Sequence, residues 1–315
     1  ENRKNREVIM YLEKGDKIGV CATADYIDKN KYFEIKNKIE NKYQIELIEG
    51  ENLFKKHGCF AGKDEERLND LNNFISNEEI KAIFFARGGY GSAPLLPYIN
   101  YNKIKNNPKI FMGYSDVTSI LLAIYTMTNL PICYYGPMIT THFHKPLKKI
   151  TRQSFELLLF KTKEKEIIFR EEETAKFNVI KYYKNEIRGK IVAGCLTLFS
   201  TLLGTKYIKL PENTILFLED KGEETYRIDR YLSHIINSDI LKNCSGLILD
   251  ICCYKPSERN KETIPLKKRI LEIFDKYKFP IMFWNCFGHR EKKIILPIGK
   301  KIKIDLNKKI CIIEK

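Results

Sequence analysis

The 315-residue sequence has no apolar run near the roughly eighteen residues that a membrane-spanning helix requires, which excludes a helical membrane protein. Its first residues, Glu1–Arg6, lack the apolar core of a secretory signal, although the sequence does not begin with Met and a removed leader stays open. The nine cysteines are an odd number, and none has the Cys-x-x-Cys spacing of a zinc or redox motif. Several sit in apolar runs such as Ile248–Cys253, where a thiol behaves as a small hydrophobe. A disulfide framework is not expected at this length, so a reducing compartment, the cytoplasm, is the expected location. Arginine is also sparse, at 12 of the 55 basic residues. The formal charge of +15 is therefore carried by lysines dispersed among Asn and Ile, and the densest stretches (Lys145–Lys149, Lys161–Lys165, Lys300–Lys309) are short and interrupted. Nucleic-acid readers concentrate arginine on one face and interleave aromatics. This pattern does neither, and no nucleic-acid partner is expected.

What remains is the composition of a globular protein, 43% hydrophobic and 30% charged, long enough for two domains. In the first half, strand patterns (Lys17–Ala22, Gln44–Ile48, Lys81–Ala86, Lys109–Tyr114) alternate with helical ones (Lys31–Lys42, Glu65–Ser76 and the run through Ile120–Tyr125). Short connections between alternating elements predict an α/β fold with a parallel sheet covered on both faces. From His144 to Lys184 the texture turns to Lys, Glu and Thr, with a β-like stretch at Glu166–Arg170. The expected organisation is an N-terminal α/β domain over 1–145, a linker with a hairpin over 146–184, and a smaller mixed α/β domain over 185–315. The last of these opens with an apolar helical run, Gly189–Gly204.

Three signals fall at predicted strand ends, where open α/β sheets form their binding crevices. The first is Gly113-Tyr114-Ser115-Asp116-Val117-Thr118, between a strand and a helix. A serine there has its hydroxyl lifted above the sheet edge, as in a nucleophile elbow, although Val117 stands where a second glycine belongs. The alternative is that Ser115 or Asp116 only caps the helix. The second is Arg87-Gly88-Gly89-Tyr90-Gly91-Ser92. It fits neither a dinucleotide fingerprint nor a Walker loop. It reads either as a tight turn or as a source of backbone N–H groups for an oxyanion. The third is a pair: Glu219, closing the strand Ile215–Leu218, and His289, after Gly288. A hydroxyl attacks a carbonyl only if a base takes its proton, and an acid fixes that base's tautomer. Ser115, Glu219 and His289 supply these roles in chain order. His142 and His144 form a His-x-His, but no third ligand lies nearby, and no metal is expected.

With these blocks in view, the sequence resembles the LD-carboxypeptidase family of serine peptidases, which includes muramoyltetrapeptide carboxypeptidases and microcin-immunity peptidases. Leu12–Val20, Arg87–Gly91 with Leu95–Pro97, Pro108–Thr118, Gly136–Met138, Gly189–Thr205, Leu216–Arg230 and Gly288-His289 followed by Leu296–Gly299 carry the likeness in order. The resemblance implies a flavodoxin-like N-terminal domain bearing Ser115 and a swivelling C-terminal β/β/α domain bearing Glu219 and His289, with the reaction in the groove between them, in a homodimer. It implies backbone donors to the oxyanion at Gly89 and Asp116 and no metal or organic cofactor. The implied reaction is release of the terminal D-alanine from murein tetrapeptides in cell-wall recycling. The runner-up is cleavage of a peptidyl–nucleotide amide, and outside catalysis, peptide binding on the same fold. Substrate contacts are expected from Gly88, Tyr90 and Tyr114. An exopeptidase must also read a free carboxylate, for which Arg87, Arg227 and Arg230 are the candidates. The sequence departs from the family at Cys195, Asp250 and Trp284–Cys286, where Asn, Gly and Gly-Leu-Pro are more usual.

Overall fold

The computed structural model describes residues 10–255 and 264–315; Glu1–Arg6, weighed above as a leader, lie outside the described residues. Among those described, no helix is long and apolar enough to cross a membrane.

In the first half the elements are β1 (Lys17–Cys21), α1 (Lys29–Tyr43), β2 (Glu46–Glu49), α2 (Asp64–Ser76), β3 (Ile80–Phe85), α3 (Tyr101–Asn106), β4 (Ile110–Gly113), α4 (Thr118–Thr128), β5 (Cys133–Tyr135) and α5 (Ile139–His142). Strands β1, β3 and β4 are buried almost throughout, as expected where helices cover both faces of a parallel sheet. Helix α1 turns Tyr32, Ile35 and Ile39 inward, starts on an Asp28 side chain accepting from Lys31 N–H, and ends at a left-handed Gln44. The parallel strands run in the order β2-β1-β3-β4-β5. That order reverses direction between β1 and β3, so the carboxyl ends of these strands open a crevice.

The second half contributes α6 (Lys149–Leu159), β6 (Glu166–Arg170), β7 (Asn178–Lys181), β8 (Glu186–Cys195), α7 (Leu196–Leu202), β9 (Thr214–Lys221), α8 (Thr225–Asn237), β10 (Cys244–Cys252), α9 (Leu266–Ile273), β11 (Ile281–Phe283), β12 (Leu296–Ile298), β13 (Lys301–Asp305) and β14 (Ile310–Glu314). Parallel strands β8, β9, β10 and β11 form the centre of an eight-stranded mixed sheet, with β7, β13, β14 and β6 added antiparallel. Strand β9 lies in the middle and is buried from Thr214 to Asp220.

Three expectations need correction. The 146–184 segment holds no hairpin, because β6 and β7 lie at opposite edges of the eight-stranded sheet. The expected stretch Glu166–Arg170 is the alternating strand β6, with Ile167 and Phe169 inward, but the Lys/Glu surface hid the strand β7 and a helix burying Ile150, Phe155, Leu158 and Leu159. The stretch Gly189–Gly204 is strand as far as Cys195 and helix only from Leu196 to Leu202. A continuous apolar run does not announce its own period. Finally, the 185–315 segment is not self-contained. Its β12 pairs antiparallel with β5 and becomes the edge of the first sheet, which tolerates Pro297 because an edge strand can spare the N–H.

The two sheets are joined tightly where α4 begins. Thr118 Oγ1 accepts from Cys195 N–H at 3.0 Å, and a Cβ on Gly194 would come 2.6 Å from the Thr118 methyl. Glycine at 194 therefore permits the approach that brings the end of β8 to the start of α4.

Candidate active site

Strand β4 ends at Gly113, and the chain turns through Tyr114 into a short 3-10 turn, Ser115–Val117, that runs into α4. Ser115 holds φ at 61°, a left-handed conformation that L side chains rarely adopt. This is the backbone of a nucleophile elbow. The capping alternative does not describe it, since Tyr114 and Val117 occupy the cap positions and neither makes a side-chain cap bond. Gly88 lies against the serine: a Cβ there would sit 3.2 Å from Ser115 Oγ. Its lack of a side chain keeps that side of the hydroxyl open.

The loop after β3 wraps round a residue with no motif to mark it, Asp25. Tyr90 N–H donates to Asp25 Oδ1 at 3.3 Å, and Arg87 pairs with Asp25 Oδ2 at 3.2 Å. Gly89, at φ 126°, faces the same carboxylate, which occupies the position a Cβ would take. Gly91 carbonyl accepts from the buried Arg67 at 2.7 Å, and Ser92 N–H donates to the buried Asp116 carboxylate at 2.8 Å. Burial raises the Asp116 pKa above the usual carboxylate range. The loop is thereby tied both to the crevice and to the residue after Ser115. Tyr90 itself projects outward, its ring 6.0 Å from that of Phe60.

Glu219 sits on the central strand β9, 1% exposed. Its Oε2 accepts from His289 Nδ1 at 2.7 Å and from His289 N–H at 3.2 Å, and its Oε1 accepts from Tyr135 OH at 2.6 Å. Tyr135 OH in turn accepts from Ser115 N–H at 3.3 Å. A chain of hydrogen bonds thus runs from His289 through Glu219 and Tyr135 to the backbone of Ser115. With Nδ1 held by the carboxylate, Nε2 is the ring nitrogen left to exchange a proton. The His289 ring stands edge-on to Tyr114 at 5.0 Å. Gly288 is required here, because its φ is 63° and a Cβ would fall 2.2 Å from Glu219.

Beside His289 lies a cavity of about 230 Å³ whose walls include Tyr114, His142, Lys145, Lys148, Lys221 and Arg290. Lys145 and Lys148 pair with Glu291, and Arg290 is held bidentate by Asp250 at 2.7 to 3.2 Å. Among the described residues Lys221 has no ion-pair partner; it stands two positions after Glu219 on β9 and so on the same face. The arginines expected to read a carboxylate are placed otherwise. Arg87 is on Asp25, Arg227 pairs with Glu223 and Glu224 at 3.7 Å, and Arg230 lies 5.2 Å over the Tyr226 ring. None of the three lines the cavity.

Sequence reasoning passed over Asp25, Tyr135, Lys221 and the pairing of His142 with Lys293. The usable signal was position, for Asp25 and Tyr135 follow or close strands whose carboxyl ends meet at the crevice. Of the departures, Cys195 bonds Thr118 through its N–H, Asp250 holds Arg290, and the fully buried Trp284 donates to Thr174 Oγ1 at 3.2 Å.

Residues 18–136 match the LD-carboxypeptidase N-terminal domain and residues 188–304 the LD-carboxypeptidase C-terminal domain. Relatives include the probable murein peptide carboxypeptidase of Bacillus subtilis, 31% identical over 96% of this chain and 93% of its own length. The microcin C7 self-immunity protein MccF of Escherichia coli is 28% identical over 96% of this chain and 94% of its own. Among solved structures, the apo state of an inactive MccF mutant superposes with a TM-score of 0.87 at 24% identity, covering 98% of this chain and 99% of that one. The muramoyltetrapeptide carboxypeptidase of Oxalobacter formigenes superposes with a TM-score of 0.81 at 24% identity, covering 95% and 99%.

Proposed function

The chain belongs to the LD-carboxypeptidase family, and from that premise we propose that it is a serine carboxypeptidase that releases the terminal D-alanine of murein tetrapeptides during cell-wall recycling in the cytoplasm. The observation that carries the proposal is the hydrogen-bonded run His289–Glu219–Tyr135–Ser115, ending on a serine in a left-handed elbow. Ser115 Oγ attacks the carbonyl of the L,D bond. His289 Nε2 takes the hydroxyl proton and returns it to the leaving amine, while Glu219 holds the tautomer and stabilises the imidazolium. The backbone N–H groups of Gly89 and Asp116 receive the developing oxyanion. Water then releases the acyl group by the reverse use of His289. No metal or organic cofactor enters this scheme.

Lys221 is assigned to the free carboxylate of the leaving residue, in place of the three arginines, because it is the cation on the cavity wall without an ion-pair partner among the described residues. A homodimer is carried by the family resemblance, and sedimentation measures it directly. Mass spectrometry of purified muropeptides after incubation should show loss of one alanine with the native protein and none with Ser115→Ala, whose circular dichroism should stay native. Equal turnover by that variant removes the mechanism.

A second substrate reading is favoured by the basic wall of the cavity, since Lys145, Lys148, Lys221 and Arg290 would suit a phosphate as well as a carboxylate. It is cleavage of a peptidyl–nucleotide amide, and assay of both substrates side by side separates the two. Labelling of Ser115 by a serine-directed phosphonate counts against a purely binding role, because an unactivated serine is inert.

A further inference from the structure

Lys293 lies four residues beyond His289 and is 1% exposed, which is rare for a lysine. Its Nζ meets three groups: the Gly288 carbonyl, His142 Nε2 at 2.7 Å, and the face of Tyr114, whose centroid is 4.3 Å away. Gly288 precedes the proposed base, Tyr114 precedes the proposed nucleophile, and His142 ends α5. The other nitrogen of His142 is already engaged, for Met138 N–H donates to Nδ1 at 3.3 Å. A neutral imidazole carries one N–H, so that proton is on Nε2 and points at Lys293. An ammonium has three N–H donors and no lone pair, and cannot accept it. A neutral amine has one lone pair and two N–H groups. The lone pair takes His142 Nε2–H, one N–H goes to the Gly288 carbonyl, and the other to the Tyr114 ring face.

From this proton count we infer that Lys293 is held as an uncharged amine and acts as a positioning residue, tying the turn that carries His289 to the turn that carries Ser115. The inference rests on the catalytic roles proposed above only for its kinetic consequence. Burial points the same way: desolvation brings the Lys293 pKa down to about 7, and desolvation first, with the cationic form of Lys293 second, lowers that of His142. The charged groups around the amine are Glu219 and Lys221 on β9 and Asp250 on β10, with His144 and His289 acting on His142. Glu219 is engaged by His289 and Tyr135, and Asp250 by Arg290, so neither carboxylate forms an ion pair with Lys293 among the described residues. An uncharged Lys293 puts no cation behind His289 when the imidazolium forms. Its protonation sets an N–H against His142 Nε2–H and pushes the His289 turn out of place.

The test is kcat/KM for D-alanine release between about pH 5 and 9 in the native protein and in Lys293→Met. The native acid limb should reflect two ionisations, with a limiting slope of two, and the variant's only one. At the plateau, kcat in the variant should fall about tenfold or more with KM within about twofold, as misplacement of a reacting group predicts. Imidazole ¹⁵N spectra of the native protein at about pH 9, above the Lys293 pKa, supply a second readout that needs neither a variant nor turnover. His142 should appear as the uncharged Nε2–H tautomer. A slope of one in both proteins, or a His142 found as the Nδ1–H tautomer or as imidazolium, overturns the inference. Absence of D-alanine release by the native protein would count against the proposed substrate, leaving the spectra to decide the state of Lys293.

Discussion

Replacing Gly288 by alanine isolates the contact on which the proposed acid–base pair, Glu219 and His289, depends. Two costs are readable from the structure. The backbone at φ 63° costs an alanine about 1 kcal/mol, since a Cβ crowds the carbonyl oxygen in the left-handed region. The added methyl would also stand 2.2 Å from Glu219 Cγ and Cδ and 2.6 Å from Oε2, the oxygen that accepts from His289. Relief to ordinary van der Waals distance moves the carboxylate or the histidine by about 1 Å, a displacement that costs on the order of 100-fold in rate when it falls on a reacting group. Gly204→Ala is the matched control: its φ is 80° and none of the described residues lies within 4 Å of where its methyl would stand, so it carries the backbone cost without the collision. Gly204→Ala should lower Tm by about 2 °C and leave D-alanine release within about twofold of native. Gly288→Ala should lose about 100-fold in kcat on top of a similar or larger fall in Tm. If Gly288→Ala turns over within about threefold of Gly204→Ala, the placement of His289 by Glu219 is not what turnover depends on.

Tyr135→Phe removes a donor to the buried Glu219 carboxylate and the acceptor for Ser115 N–H, so urea denaturation should show a loss of about 2 kcal/mol, with kcat down about tenfold. Lys221→Met should raise KM at least about tenfold for a peptide with a free terminal carboxylate and leave an amidated analogue within about twofold, and equal effects on both would reassign the carboxylate contact. Stability should depend on pH through Lys293, whose folded pKa of about 7 lies below the roughly 10.4 of an unfolded lysine. Between these values the unfolded chain binds the extra proton, so stability of the native protein relative to Lys293→Met should rise from about pH 7 to about pH 10. A flat difference in that window, measured by denaturant unfolding, would show that Lys293 is charged in the folded protein.

Much of this protein is legible in local pattern. The alternation of strands and helices, the turn after β4 and the apolar strand that carries Glu219, although it runs on to Lys221, are set by periodicity and backbone chemistry within a few residues, and a linear chain displays both. Even so, the dense Lys/Glu texture of 146–184 showed the strand Glu166–Arg170 but concealed the edge strand β7 and the separation of β6 and β7 to opposite edges, because charge on an edge strand is what keeps it from pairing with another molecule and looks the same as a linker. The apolar run of Gly189–Cys195 carried no period to tell strand from helix. Tertiary structure alone decided the rest. Whether a cation reads a substrate or serves an internal carboxylate depends on the partner it meets, which removed Arg87 to Asp25 and Arg227 to Glu223 and left Lys221 at the cavity. Tyr135 and Lys293 carry no motif and His142 stands only in a His-x-His, and their contacts with the turns bearing Ser115 and His289 come from strand order and from the return of β12 to the first sheet. The residue types were written in the chain, but long-range packing chose which of them share a proton.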